Sequence, residues 1–217
     1  RTFTCTRCGA ERTEVIPKTG ETPCDGGANC PGSRFTDMPA AGNWAHAGID
    51  FALKQGLFNG MSSTTFEPDG SMTRAMLVAV LYRLAGSPSV SGKTPFTDVA
   101  AGTWYSDAVL WDYQNDIVAG TSDTTFEPLS NITREQIVAI FSRYTAKFAP
   151  DKAKATAELT GFADSASVSD WAVNDMKWAV AQKIIGGREN GGRLYLAPQG
   201  NASRAEVATI LMQYCAL

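Results

Sequence analysis

The chain has 217 residues, of which 44% are hydrophobic and 19% are charged, a composition typical of a folded protein rather than a disordered one. Its formal net charge is -3, so no overall basic field attracts nucleic acid or acidic lipid, and any anion must be bound by local cations. No apolar run approaches the ~20 residues that span a bilayer. The chain starts at Arg1 rather than Met, which predicts a fragment of a longer polypeptide with further domains upstream.

Residues 1–34 form a leader that is rich in cysteine and unlike the rest of the chain. The alternation around Gly9 and Ala10 predicts a short β-hairpin. Four thiolates in this order are typical of a tetrahedral zinc ribbon, although the second pair is more widely spaced than usual. In an exported chain the same cysteines form two disulfides instead, so zinc, the one candidate cofactor, and disulfides both remain open. The four candidate metal ligands are Cys5, Cys8, Cys24 and Cys30.

Three copies of one motif follow the leader and divide the remaining chain into repeats at 35–86, 96–146 and 162–217. Each copy opens on Phe-x-Asp, continues through a Trp and a Gly to a Phe- or Leu-x-Pro motif, and then has a hydroxyl residue before an Arg. The first two copies align without a gap from the Trp to this Arg, and the third needs extra residues only in its Gly-rich stretch. Such repetition indicates one structural unit used three times.

Each repeat is predicted to contain two helices. The first helices are predicted at 44–58, 104–118 and 171–185, and each is expected to end at a glycine: Gly60, Gly120 and Gly187. The second helices begin at the arginine and have apolar residues at i, i+3, i+4 and i+7, which predicts one buried face per helix.

The hydroxyl residue before each arginine is predicted to cap the second helix. Ser203 and Glu206 predict a complete capping box, and Gln136 can complete one in the second repeat. Met76 cannot accept the return hydrogen bond, so the second helix of the first repeat is expected to fray most readily.

A single helix-loop-helix unit has too little core to be stable alone, so the repeats must pack on one another. The sequence therefore predicts a mainly α fold in which three helix-loop-helix units form a compact, pseudo-three-fold bundle. The small Cys-rich hairpin or ribbon of residues 1–34 precedes this bundle in the chain. The segment 151–159, rich in Ala and Lys, is expected to form a short surface helix.

The order of these motifs resembles the S-layer homology (SLH) domain in its usual three-copy set, and the resemblance covers roughly residues 35–217. It implies a bacterial, extracellular module that anchors surface proteins to the cell wall without a covalent bond. The implied partner is a secondary cell-wall polysaccharide, often pyruvylated, held in grooves between repeats. The family's Thr-Arg-Ala-Glu signature falls on 73–76, 133–136 and 203–206; only the third copy keeps the Glu, whereas all three keep the Arg.

By this resemblance the candidate ligand-binding cations are Arg74, Arg134 and Arg204. Each stands at the start of a helix, where unpaired amide hydrogens and the helix dipole favour an anion. A guanidinium can also bind a carboxylate through two parallel hydrogen bonds. The alternative is that each arginine pairs with a carboxylate of a neighbouring repeat.

Three tryptophans complete the set of candidate ligand-binding residues: Trp44, Trp104 and Trp171. A Trp at the start of a helix is expected mainly in the core, although one at the rim of a groove can also stack on a sugar. Asp37, Asp98 and Asp164 are expected to cap a turn or pair with an arginine.

Other classes of function fit the sequence poorly. The single histidine, His46, has no partner motif and is expected on the surface, so no catalytic triad is predicted and the chain is not expected to be an enzyme. The acidic balance opposes nucleic-acid binding, and no membrane insertion is expected. The remaining alternative is a protein-interaction or self-assembly module that uses the same grooves.

Overall fold

The structure is a computed structural model that describes residues 2–4, 11–13, 27 and 29–217. Strand β1 (Thr2–Thr4) pairs antiparallel with β2 (Glu11–Thr13), with Thr2 opposite Thr13. Cys5, Cys8 and Cys24, three of the four candidate metal ligands, lie outside the described residues.

The chain divides into two compact units. The first contains residues 1–71, 83–87 and 203–217, and the second contains residues 72–82 and 88–202. In the first unit, helix α1 (His46–Lys54) packs against the last helix of the chain (Arg204–Tyr214). Gly48 permits this close approach, since a Cβ there would lie 2.7 Å from the Thr209 backbone.

The second unit contains most of α2 (Arg74–Leu84), followed by α3 (Ser106–Gln114), α4 (Arg134–Phe148) and α5 (Val173–Ala181). Helix α4 packs against α5 and against a 3-10 helix at Pro150–Lys154. This helix covers only the first part of the segment 151–159 where a surface helix was expected, and residues 155–159 are not helical. Two shorter 3-10 helices, Ser165–Ser167 and Asp170–Ala172, precede α5. Strands β3 (Arg188–Asn190) and β4 (Arg193–Tyr195) form a hairpin in the Gly-rich stretch of the third repeat. The last helix of the chain is α6. The prediction of a mainly helical fold is confirmed.

The first helix of each repeat is shorter than predicted. Each begins two residues after its Trp and ends before a residue in the left-handed region, namely Gly56 (φ 66°), Asp116 (φ 61°) or Lys183 (φ 58°). The predicted stop was therefore wrong. Gly60 and Gly120, which follow these helices at the same spacing, are needed for packing instead. A Cβ at either position would overlap the ring of Phe35 or Phe96, respectively.

The segments just before the second helices form a closed ring of hydrogen bonds within the second unit. The Met72 amide donates to the Ala202 carbonyl (2.9 Å), the Ala202 amide to Ile132 (3.2 Å), and the Ile132 amide to Met72 (3.0 Å). All three side chains are buried. One segment from each repeat thus makes the same pair of hydrogen bonds in this ring, as the three-fold repetition of the sequence predicts.

The second helices begin as their sequences predicted. Both capping boxes are present, Thr133 with Gln136 on α4 and Ser203 with Glu206 on α6. On α2 the Met76 amide donates to Thr73 Oγ1 (3.2 Å), and Met76 has no side-chain oxygen to return the bond. Among the described residues, no helix is both long and apolar enough to cross a membrane.

Candidate ligand-binding groove

Each Phe-x-Asp motif holds a tight turn of its own repeat. Asp37 accepts hydrogen bonds from the amides of Phe66 (2.8 Å) and Glu67 (2.7 Å). Asp98 and Asp164 bind the equivalent pairs of amides in the second and third repeats. The second residue of each turn has a positive φ, as at Glu67 (59°), so the carboxylate stabilises a backbone conformation that is otherwise unfavourable. The expectation that these aspartates cap a turn is confirmed.

The same turn accepts the arginine of another repeat. The Nε hydrogen of Arg74 is donated to the Phe126 carbonyl (2.7 Å), that of Arg134 to Leu196 (2.8 Å), and that of Arg204 to Phe66 (2.8 Å). The arginine of repeat 1 therefore binds repeat 2, that of repeat 2 binds repeat 3, and that of repeat 3 binds repeat 1. The three arginines are only 7%, 4% and 4% exposed, respectively.

Aromatic contacts reinforce two of these arginines. The Arg74 guanidinium lies 4.6 Å from the centroid of the Phe126 ring, and that of Arg204 lies 4.4 Å from the Phe66 ring. Burial lowers the pKa of Arg204 to about 10, a shift that Glu67 and Asp37 oppose. Even this lowered pKa leaves the side chain charged at neutral pH, and backbone carbonyl oxygens bind the charge directly.

Each of the three arginines therefore joins one repeat to the next, and this structural role does not depend on a ligand. Their direct partners include backbone carbonyls of the next repeat, whereas for Arg74 the carboxylates of Glu127 and Asp98 act through electrostatic attraction. For Arg74 and Arg204 the direct hydrogen bonds go to backbone carbonyls, so simple pairing with a neighbouring carboxylate does not describe these two arginines.

Arg74 also lines a cavity of about 420 Å³ within the second unit. One wall is the loop after α3, where Arg74 donates to the Ala119 carbonyl (3.3 Å). A second wall is α4, through Gln136 and Arg143, and Trp171 of the third repeat completes the lining. We call this cavity the Arg74 groove. Its lining contains two arginines and, among the described residues, no carboxylate.

The tryptophans lie on the surface rather than in the core. Trp44, Trp104 and Trp171 are 62%, 59% and 54% exposed, respectively, so the expectation of a mainly core role was wrong. Each precedes its helix and lies in the preceding turn or 3-10 helix, away from the buried helix face. An exposed indole offers an apolar face to a ligand, and Trp171 does so at the Arg74 groove.

Sequence reasoning did not identify Arg143, an exposed arginine on α4 that lines the groove. The alignment of the repeats contains a signal for it, since the equivalent positions are Arg83 and Gln213. Arg83 donates to the Leu57 carbonyl at 2.9 Å. Arg143 lies near Asp175. Burial raises the pKa of Asp175 overall, although a hydrogen bond with Ser142 and the charge of Arg143 act to lower it.

His46 is buried rather than on the surface, so that expectation was wrong. Its Nδ1 lies 2.6 Å from the Pro39 carbonyl oxygen, and its Nε2 lies 3.2 Å from Asp50 Oδ2. Asp50 also accepts the Gly32 amide hydrogen (2.9 Å), which ties the end of the leader to α1. Cys30 lies 3.9 Å from His46, but its sulfur is already in a disulfide whose other cysteine lies outside the described residues. A disulfide sulfur is not a thiolate, so these side chains make a poor metal site despite their closeness.

Comparison with known proteins agrees with the repeat structure. Residues 34–75, 95–138 and 161–208 each match the family model for the S-layer homology domain. The chain is 34% identical over 169 residues to an amylopullulanase of Thermoanaerobacterium thermosulfurigenes, a match that covers 78% of the chain and 9% of the relative.

Two further relatives carry surface-related names. A surface-layer 125 kDa protein of Lysinibacillus sphaericus is 27% identical, with 82% of this chain and 14% of the relative covered. A cellulosome-anchoring protein of Acetivibrio thermocellus is 30% identical, with 50% and 25% covered. The chain thus spans a quarter or less of the length of these relatives.

Proposed function

The chain belongs to the S-layer homology domain family, whose members anchor proteins at the cell surface, and we propose that it does so by binding an anionic cell-wall polysaccharide. In this proposal the chain is a non-catalytic, extracellular module. It attaches the remainder of a longer protein to the wall of a bacterium without a covalent bond. The names of the surface-layer and cellulosome-anchoring relatives support this assignment.

The observation that carries the proposal is the Arg74 groove. Two guanidinium groups and an exposed indole line one cavity of about 420 Å³, large enough for a few sugar units. A carboxylate on the sugar, such as that of a pyruvate ketal, matches the planar guanidinium of Arg143. The face of Trp171 suits the apolar C–H surface of the same sugar.

The two arginines have different parts in this proposal. Arg74 is buried and already binds two backbone carbonyls, so it contributes positive charge to the wall of the groove while it joins two repeats. Arg143 is exposed and is therefore the better direct ligand. One charge-assisted hydrogen bond contributes about 1.5–3 kcal/mol, and binding of one polymer at several sites raises the affinity further.

The test is sedimentation of the purified chain with protein-free cell-wall sacculi, before and after chemical removal of the wall polymer. We expect the chain to bind intact sacculi and to remain in solution with stripped ones. Sacculi whose polymer lacks pyruvate would show whether the carboxylate is required. Binding that survives removal of the polymer would overturn the proposal.

Arg143→Gln tests the site itself, because it reproduces the residue at the equivalent position of the third repeat, Gln213. We expect an affinity at least tenfold lower, corresponding to loss of about 1.4 kcal/mol or more. Arg193→Gln removes the same charge from the exposed β4 strand and serves as the matched control. Equal losses in the two variants would assign binding to general electrostatic attraction instead of the groove.

A further inference from the structure

Glu135 is a buried carboxylate that only the second repeat possesses. The equivalent positions of the other repeats are occupied by Ala75 and Ala205. Glu135 is 3% exposed, on the first turn of α4, one residue before the groove residue Gln136. Burying a charge lowers the stability of the fold unless several hydrogen-bond donors bind it, so the partners of Glu135 indicate its structural role.

Those partners belong to the third repeat. Glu135 Oε2 accepts the Ser169 amide hydrogen (3.1 Å), and Oε1 accepts both the Ser169 hydroxyl (3.0 Å) and the Gln199 amide (2.7 Å). Gln199 also donates to Ser169 Oγ (3.1 Å). Ser169 is thus held by its backbone and its side chain at once.

Ser169 directly precedes the 3-10 helix Asp170–Ala172, which carries Trp171. The equivalent residues of the other repeats are Gly42 and Gly102, which have no side chain to bind. Near Trp104 the described side-chain bonds are local, from Thr103 to Ala100 and from Ser106 to Thr103. The segment that carries Trp171 is instead bound to α4, the helix that forms another wall of the groove.

We propose that Glu135 is a positioning residue that holds Trp171 in place at the Arg74 groove, so that the indole is ordered before the ligand arrives. The proposal rests on the function proposed above. An ordered aromatic wall loses less conformational freedom on binding, which raises affinity without any added contact. Glu135 itself touches no ligand.

A double-mutant cycle tests this, with calorimetric titration of a purified, pyruvylated wall-polymer fragment. We expect Glu135→Ala to weaken binding about three- to tenfold, the effect of ordering one large side chain during binding. In a Trp171→Ala background the same substitution should change the affinity little, because the residue through which it acts is gone. Glu158→Ala removes an exposed carboxylate and should leave binding unchanged.

Loss of stability is measured separately by thermal unfolding of each variant. Should Glu135→Ala fail to fold, Ser169→Gly is the second variant: it copies the other two repeats, retains the amide bond to Glu135, and should weaken binding about twofold. Equal losses with and without Trp171, or no loss at all, would overturn the positioning role. If Trp171→Ala and Arg143→Gln also bind as tightly as the unmodified chain, the proposed binding site itself is wrong.

Discussion

Arg74 binds Phe126 in two ways, through a 2.7 Å hydrogen bond from its Nε to the Phe126 carbonyl oxygen and through its guanidinium, 4.6 Å from the centroid of the ring. Arg204 does the same with Phe66. Because Arg74 also lines the groove, its substitution would alter both binding and folding. Variants of such arginines therefore require a stability measurement beside every binding measurement.

Arg204→Ala should lower the free energy of unfolding by on the order of 3 kcal/mol, because it removes charge-assisted hydrogen bonds and a cation–π contact. Arg204→Lys should recover only part of this, since an ammonium lacks the planar geometry of the guanidinium. Urea unfolding measures both. An Arg204→Ala variant of unchanged stability would show that the contact does not join the repeats as described.

Asp112 provides a pH-dependent prediction. It is fully buried on α3, neither carboxyl oxygen has a hydrogen-bond partner among the described residues, and burial raises its pKa well above the ordinary value. The equivalent residues in the other repeats are Ala52 and Ala179. Asp112→Ala should therefore stabilise the fold by about 1–3 kcal/mol at neutral pH.

This gain should depend on pH in one direction. The unfolded chain releases the Asp112 proton near pH ~3.9, while the folded chain retains it to higher pH, so the native aspartate costs stability as the pH rises from acid to neutral. Urea unfolding of both proteins at pH 4 and pH 7 should show the difference widening with pH. Ala52→Asp, the reverse change at the equivalent site, should destabilise most at neutral pH; a gain from Asp112→Ala that is equal at both pH values would contradict this explanation.

Asp37 should show the opposite dependence. Burial raises its pKa, but the amides of Phe66 and Glu67 stabilise the charged form and lower the pKa overall. The resulting stability is present above the unfolded pKa and is lost as the pH falls through the lower, folded one. Asp37→Ala should cost about 2 kcal/mol at pH 7 and less at pH 2, as urea unfolding would measure. Asp37→Asn keeps one acceptor oxygen, so its free energy of unfolding should lie between those of the unmodified chain and Asp37→Ala.

Met76→Gln should complete the capping box that α2 lacks, with the new side chain accepting the Thr73 amide hydrogen. Thermal unfolding should show a gain of about 0.5 kcal/mol. Glu206→Met removes the corresponding return bond on α6 and should have the opposite effect. If neither substitution changes stability, the return bond has no energetic role here.

The leader is tested by its response to reductant and chelator. Because Cys30 is in a disulfide, we expect a reducing agent to lower the melting temperature, and we expect elemental analysis to find no stoichiometric zinc. Loss of stability in a chelator alone, together with one bound zinc per chain, would contradict the Cys30 disulfide and favour the four-cysteine zinc site.

Much of the local structure was predictable from short patterns. The i, i+3, i+4, i+7 stripes and the Ser203–Glu206 spacing predicted the second helices and their caps, because both depend on residues within one turn of each other. The end of the first helices was not predictable in this way. It depends on Asp116 and Lys183 adopting left-handed backbone, a conformation that Asp adopts only occasionally and Lys rarely.

The sequence by itself determined the three-fold repetition, the two helices of each repeat and the family, since all three depend on residue type and spacing along the chain. Only the tertiary structure decided that the arginines are buried against the next repeat, that the tryptophans are exposed, that Arg143 lines the groove and that Glu135 binds the segment before Trp171. Those outcomes depend on which distant backbone each side chain meets. The carbonyl oxygens that bind Arg74, like the Ser169 amide that binds Glu135, are backbone groups shared by nearly all residue types, so the sequence pattern does not mark them.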